Sequence, residues 1–62
     1  MKSDVLTRIK TEYNTFSKGQ KKISDFLLDH YEAACYLTAA KIGETVGVSE
    51  STVVRFASEL GF

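Results

Sequence analysis

Sixty-two residues leave room for one domain at most, and a chain this short buries only about 60% of the surface its unfolded form exposes, which argues against a deep substrate pocket. Eight Lys plus Arg balance eight Asp plus Glu, 44% of the residues are hydrophobic and proline is missing, so the composition suits helices joined by short turns better than a disordered tail. The lone Cys35 cannot form an internal disulfide, no apolar run approaches the roughly 20 residues that cross a membrane, and Met1 to Lys10 lacks the apolar stretch of a signal peptide, which together point to a reducing, cytoplasmic compartment.

The spacing predicts four helices. In the first, about Ser3 to Asn14, the residues Val5, Leu6, Ile9 and Tyr13 recur on one face. That stripe can cover the module's own core or form a dimer surface. Ser17-Lys18-Gly19-Gln20 has the form of a capping box and starts the second helix. Ile23, Phe26, Leu27 and Tyr31 mark its buried face, with Lys21, Lys22, Asp25 and Asp29 mostly opposite, and it is expected to end near His30. Tyr31 to Leu37 is expected to turn the chain. Thr38 caps a third helix, Ala39 to Val46, that stops at Gly47; Ser49 caps a fourth that runs to Leu60 and stops at Gly61. Thr52, Val53 and Val54 read locally as strand. The run Val53, Phe56, Ala57, Leu60 at i, i+3, i+4 and i+7, between a Ser and a Gly, favours helix. The chain stops just after a helix-ending glycine, as a cut inside a longer protein would.

The informative stretch is Thr38 to Leu60, TAAKIGETVGVSESTVVRFASEL, in which two short helices meet at Gly47-Val48-Ser49. Such a turn needs a residue that tolerates positive φ, and Gly47 does so. It also needs apolar residues in the angle between the helices, where Ile42, Val46, Val48, Val53 and Phe56 stand. Gly43 lies inside a helix, where glycine costs roughly 0.5–1 kcal/mol relative to alanine. Either close approach of the second helix offsets that cost or the glycine is merely tolerated. These features predict an all-α fold, a small helical bundle containing a homeodomain-like helix-turn-helix over about residues 38–60. Its outer face would be Ser49, Glu50, Ser51, Thr52, Arg55 and Ser58. Residues at the start of such a helix meet base edges of double-stranded DNA in the major groove. Short hydroxyls approach closely, and Arg55 can grip a guanine edge or a phosphate. Glu50 can stabilise the helix N-terminus through the macrodipole or accept from a cytosine amine.

GVSESTVVRFASELGF resembles the recognition-helix signature of the RpiR (MurR/RpiR) family of bacterial regulators, and FSKGQKKISDFLLDHYE is similar to that family's second helix. The GVS-x-x-TV run also occurs in lactose-repressor-type proteins; its combination with RF, ELGF and SKGQKKISDFLL points to RpiR. The resemblance covers about residues 3–62. It implies an N-terminal DNA-binding domain followed by a C-terminal sugar-isomerase-like (SIS) domain, absent from this chain, that binds a phosphorylated sugar and controls genes of sugar metabolism. Carried over by position, it implies that Ser49, Ser51, Thr52 and Arg55 face DNA.

Charge runs against a strong DNA grip. Between Thr38 and Leu60 two cations, Lys41 and Arg55, stand against Glu44, Glu50 and Glu59. Many phosphate contacts therefore cannot come from the motif itself. Lys18, Lys21 and Lys22 are candidate phosphate contacts, or a solvated face. Weak binding by one module is expected, with a homodimer or higher oligomer reading two half-sites about one helical turn apart. His30 and Cys35 are too few for a structural metal site. No nucleophile has a base beside it, the glycines form no phosphate loop, and Asp25 with Asp29 reads as a solvated face, so neither an enzyme nor a cofactor is expected. The alternative is a helical protein-interaction or dimerisation module without DNA binding, which would show a contiguous apolar patch instead of an exposed polar face.

Overall fold

Three of the helices begin at a hydroxyl side chain that takes up an otherwise unpaired backbone donor. The Ser17 hydroxyl accepts from the Gln20 N–H at 3.2 Å while the Ser17 N–H donates to Gln20 Oε1 at 2.8 Å, a complete capping box. Thr38 Oγ1 accepts from the Lys41 N–H at 3.1 Å, and Ser49 Oγ from the Thr52 N–H at 3.2 Å. The computed structural model describes residues 2–61. In chain order they form α1 (Lys2–Glu12), a 3-10 turn (Tyr13–Thr15), α2 (Lys18–Cys35), α3 (Ala39–Val46) and α4 (Glu50–Leu60), with no strand among the described residues. The β-branched run Thr52 to Val54 is helical. Met1, and Phe62 at the end of the family-like signature, lie outside the described residues.

One interior is shared by all four helices. Val5 and Ile9 come from α1, Ile23, Leu27 and Ala34 from α2, Ile42 from α3, and Val53, Phe56 and Leu60 from α4. The α1 stripe is thus spent on the module's own core. Phe56, 1% exposed, sits at the centre, where burying its ring is worth about 1.5–3 kcal/mol. The edge of Phe16 packs on Phe56 with centroids 4.9 Å apart at 87°, tying the α1–α2 connection to α4. Ser24 on α2 is fully buried and donates to the Gln20 carbonyl at 2.9 Å, so its burial leaves no unpaired donor.

The second helix differs from expectation. His30 has the non-helical angles φ −136° and ψ 45°, yet the chain resumes helix and continues to Cys35. Tyr31 to Leu37 is therefore not a turn along its length: helix persists through Cys35, and the turn is confined to Tyr36 and Leu37. The physical reason is in the residues. No Gly or Pro stands between Tyr31 and Leu37, Ala33 and Ala34 favour helix, and Ala34 is 1% exposed in the core. At the other end, α1 gives way to a 3-10 turn at Tyr13, within the span expected to reach Asn14.

The α3–α4 turn is fixed by two glycines with different tasks. Gly47 adopts φ +84°, ψ +33°, the left-handed conformation that ends α3. The N–H groups of Gly47 and Val48 both donate to the Gly43 carbonyl, at 2.8 and 2.9 Å. Gly43 is buried against the turn's own backbone: a Cβ there would lie 2.6 Å from the Val48 carbonyl oxygen and 3.3 Å from the Ser49 carbonyl carbon. Ile42, Val53 and Phe56 are buried in the angle between the helices, with Val46 and Val48 half-buried at its edge.

Two substitutions separate these tasks. Gly43→Ala is expected to lower the unfolding free energy by about 1–3 kcal/mol through overpacking, even though alanine by itself favours helix by about 1 kcal/mol. Gly47→Val is expected to cost at least about 1–2 kcal/mol, because a β-branched side chain is strained in the left-handed region although the space is open. Gly47→Asn should lose much less. Urea denaturation measures all three; an alanine at 43 as stable as the parent would mean that α3 and the turn can part without cost.

Candidate nucleic-acid interface

Two interleaved stripes run along α4. The inner one, Val53, Phe56 and Leu60, is at most 4% exposed. The outer one is offset from it by two residues: Ser51, Val54, Arg55 and Ser58 stand at i, i+3, i+4 and i+7, and all four are exposed. Glu50, also exposed, lies in the first turn of the helix, where a carboxylate is favoured by the helix dipole. Of the residues expected on this face, Thr52 is half-buried and the others are exposed. Val54, 50% exposed, also lies on this face, although the face expected from sequence does not include it. Its spacing from Ser51 and Ser58 was the signal that could have placed it.

The hydroxyls at the start of α4 are not equivalent. Ser49 Oγ caps the helix and lies 2.8 Å from Thr52 Oγ1 and 3.3 Å from Ser51 Oγ. Ser49 is therefore committed to holding the helix end, and Thr52 is bonded to it. Ser51, whose hydroxyl sits at the edge of this cluster, points outward with Arg55. Among the described residues Arg55 makes no hydrogen bond or ion pair, so its guanidinium is available. Lys41 is not in the same position: its ammonium pairs with Glu44 Oε1 at 3.0 Å, an exposed pair worth little to stability but enough to offset the charge locally.

The lysine cluster begins beside this helix end. A Cβ on Gly19 would be in contact with Val48 Cγ1 at 3.5 Å, so the first turn of α2 adjoins the turn that leads into α4. Lys18 and Lys22 are exposed there. Lys21 is half-buried, with its ammonium 5.4 Å from the centre of the Tyr13 ring. The Tyr13 hydroxyl in turn donates to Asp25 Oδ1 at 2.9 Å. That hydrogen bond, then burial, then the Asp25 charge hold the phenol above its usual range.

The rest of the surface is plain by comparison. A shallow apolar groove runs between the start of α3 and one side of α4, lined by Leu37, Ala39, Ile42, Val53, Val54 and Ala57, with Ser58 and Gly61 at its end. His30 lies against Phe26 with ring centroids 5.5 Å apart, and Cys35 is an exposed thiol. Among the described residues no three His, Cys, Asp or Glu side chains gather to hold a metal ion, and no helix is long and apolar enough to cross a membrane.

Comparison with known proteins agrees with this geometry. The model of the helix-turn-helix domain of the rpiR family matches residues 3–62. An uncharacterized HTH-type transcriptional regulator of Escherichia coli K12, YfhH, is 37% identical over 57 residues, which are 92% of this chain and 20% of that protein. An uncharacterized HTH-type transcriptional regulator of Thermotoga maritima is 37% identical over 59 residues, 94% of this chain and 21% of its own. The chain thus spans about a fifth of the length of these curated relatives. No solved structure matches it significantly. With a tight turn set by Gly43 and Gly47, a capped second helix, and a family match over nearly all of its length, the chain belongs to the rpiR family of helix-turn-helix domains.

Proposed function

We propose that this chain is the DNA-binding module of a bacterial transcription regulator, with α4 lying in the major groove of double-stranded DNA. The observation that carries the reading is the outer stripe of α4: exposed, mostly polar, and centred on an arginine that has no partner among the described residues. Ser51, Arg55 and Ser58 face the bases, with Glu50 beside them. Arg55 takes a guanine edge or a phosphate, and Lys18 and Lys22, at the start of α2 next to the turn, take phosphates. Lys21 joins them by leaving its position over Tyr13. Ser49 and Thr52 serve the face indirectly, by holding the helix end that presents it. The names of the relatives, both HTH-type transcriptional regulators, support this reading.

The charge balance limits one copy. The chain has as many acidic as basic side chains, so few counterions are released on binding and affinity from one module is low. Two copies on half-sites about one helical turn apart supply the rest. A sugar phosphate is the effector expected of such a regulator, bound by a SIS domain outside these residues, and the cytoplasm is the compartment that fits. The apolar groove between α3 and α4 is the observation that favours the other reading, a docking module.

Arg55→Ala is expected to lower DNA affinity by about 1–3 kcal/mol with thermal stability unchanged, since the side chain is exposed. Titrations at two salt concentrations sort its role: a shallower salt dependence marks a phosphate contact, and relaxed sequence preference marks a base contact. Collapse of the fold in that variant, or no sequence-preferring binding by the parent protein, would favour the docking module. Ser49→Ala should behave differently, losing about 1 kcal/mol of stability with the cap and weakening DNA binding in step with it; circular dichroism melts run beside the titrations separate the two.

A further inference from the structure

The outer stripe of α4 has one apolar member, which stands on the ridge between the apolar groove beside α3 and the polar depression at Glu50, Ser51 and Arg55. Val54 is 50% exposed, between Ser51 and Ser58 on the same face, and forms a shallow depression with Glu50, Ser51 and Arg55. A β-branched residue on an exposed helix face is unfavourable by local propensity and can neither donate nor accept a hydrogen bond. On a surface that lies in the major groove, one feature of the base edges matches it: the C5-methyl group of thymine, the apolar mark in a row of donors and acceptors.

We infer that Val54 is a specificity-determining residue that packs on a thymine methyl, next to the base pair that Arg55 meets. The inference rests on the DNA-binding reading above. The geometry suits it. Ser51 and Val54 are one turn apart, about 5–6 Å between Cβ atoms, which is one to two base-pair steps at about 3.4 Å each. The depression at Glu50, Ser51 and Arg55 leaves room beside Val54 for a group the size of a methyl. Short hydroxyls on either side, at Ser51 and Ser58, let the helix come close enough for van der Waals contact.

The test uses the intact regulator and duplexes selected from a random library. Each thymine of the preferred duplex is replaced in turn by deoxyuridine, which removes the methyl and leaves every hydrogen-bonding group in place. The parent protein should lose about fourfold in affinity at one thymine per half-site, the weight of one methyl group withdrawn from water. Val54→Ala should bind the thymine and uracil duplexes equally at that position and respond like the parent at all others. Val54→Thr, which keeps one γ-methyl, should retain part of the discrimination that Val54→Ala loses. Uracil profiles identical in the parent and Val54→Ala would overturn the role of Val54 while leaving DNA binding intact. A selection that enriches no sequence would overturn the DNA-binding reading and this inference with it.

Discussion

The contact between Gly43 and the Val48 carbonyl governs the placement of everything that follows it in the chain. A helix and the turn after it meet here backbone to backbone, with no side chain between them. The approach is possible because a hydrogen stands where every other residue carries a carbon, 2.6 Å from an oxygen. The Gly43 carbonyl also accepts from both Gly47 and Val48, so one residue both ends its helix and seats the next. The direction of α4 follows from that seat. The aromatic contact of Phe16 on Phe56 and the core residues of α1 and α2 then support α4 from beneath. Remove the close approach and the outer stripe still exists as a sequence, but no longer as a surface at a defined angle.

Electrostatics distributes the work among parts of the molecule. The helix proposed to enter the groove has one cation, and its first turn carries a carboxylate. Lys18, Lys21 and Lys22 sit on α2, whose first turn adjoins the α3–α4 turn, since a Cβ on Gly19 would lie 3.5 Å from Val48 Cγ1. In the proposed reading, selection of sequence and attraction to phosphate would reside on different helices. On that proposal the module would discriminate better than it grips, and joining two copies would improve the grip, since linked modules act at a high effective concentration.

The helix-turn-helix was legible because its signals are local. Thr38, Ser49, Gly47 and Gly61 mark helix ends by side-chain chemistry or backbone freedom, and the apolar spacing from Val53 to Leu60 leaves one way to bury α4. Less of α2 was readable. The interruption at His30 is a pair of backbone angles and has no residue code, and helix resumes because Ala34 has a place in the core that depends on the other helices. Ser24 was unreadable for a similar reason, since burial of a hydroxyl depends on a carbonyl one turn back that can accept from it. The candidate site was legible in outline from Glu50 to Ser58. Its finer division was not: Ser49 and Thr52 share one hydrogen-bonded cluster, and Val54 stands on the outer face beside the polar residues.

The offset between the two stripes of α4 has a consequence for how such a module can change. Val53, Phe56 and Leu60 carry the helix's share of the core, and Ser51, Val54, Arg55 and Ser58 carry its outer surface; no residue belongs to both. Substitutions on the outer stripe replace exposed side chains and leave the buried side chains of α4 in place. If the stripe reads DNA as proposed, a lineage could move to a new operator through these four exposed positions without disturbing the buried ones, and the same four would be the ones to exchange between scaffolds.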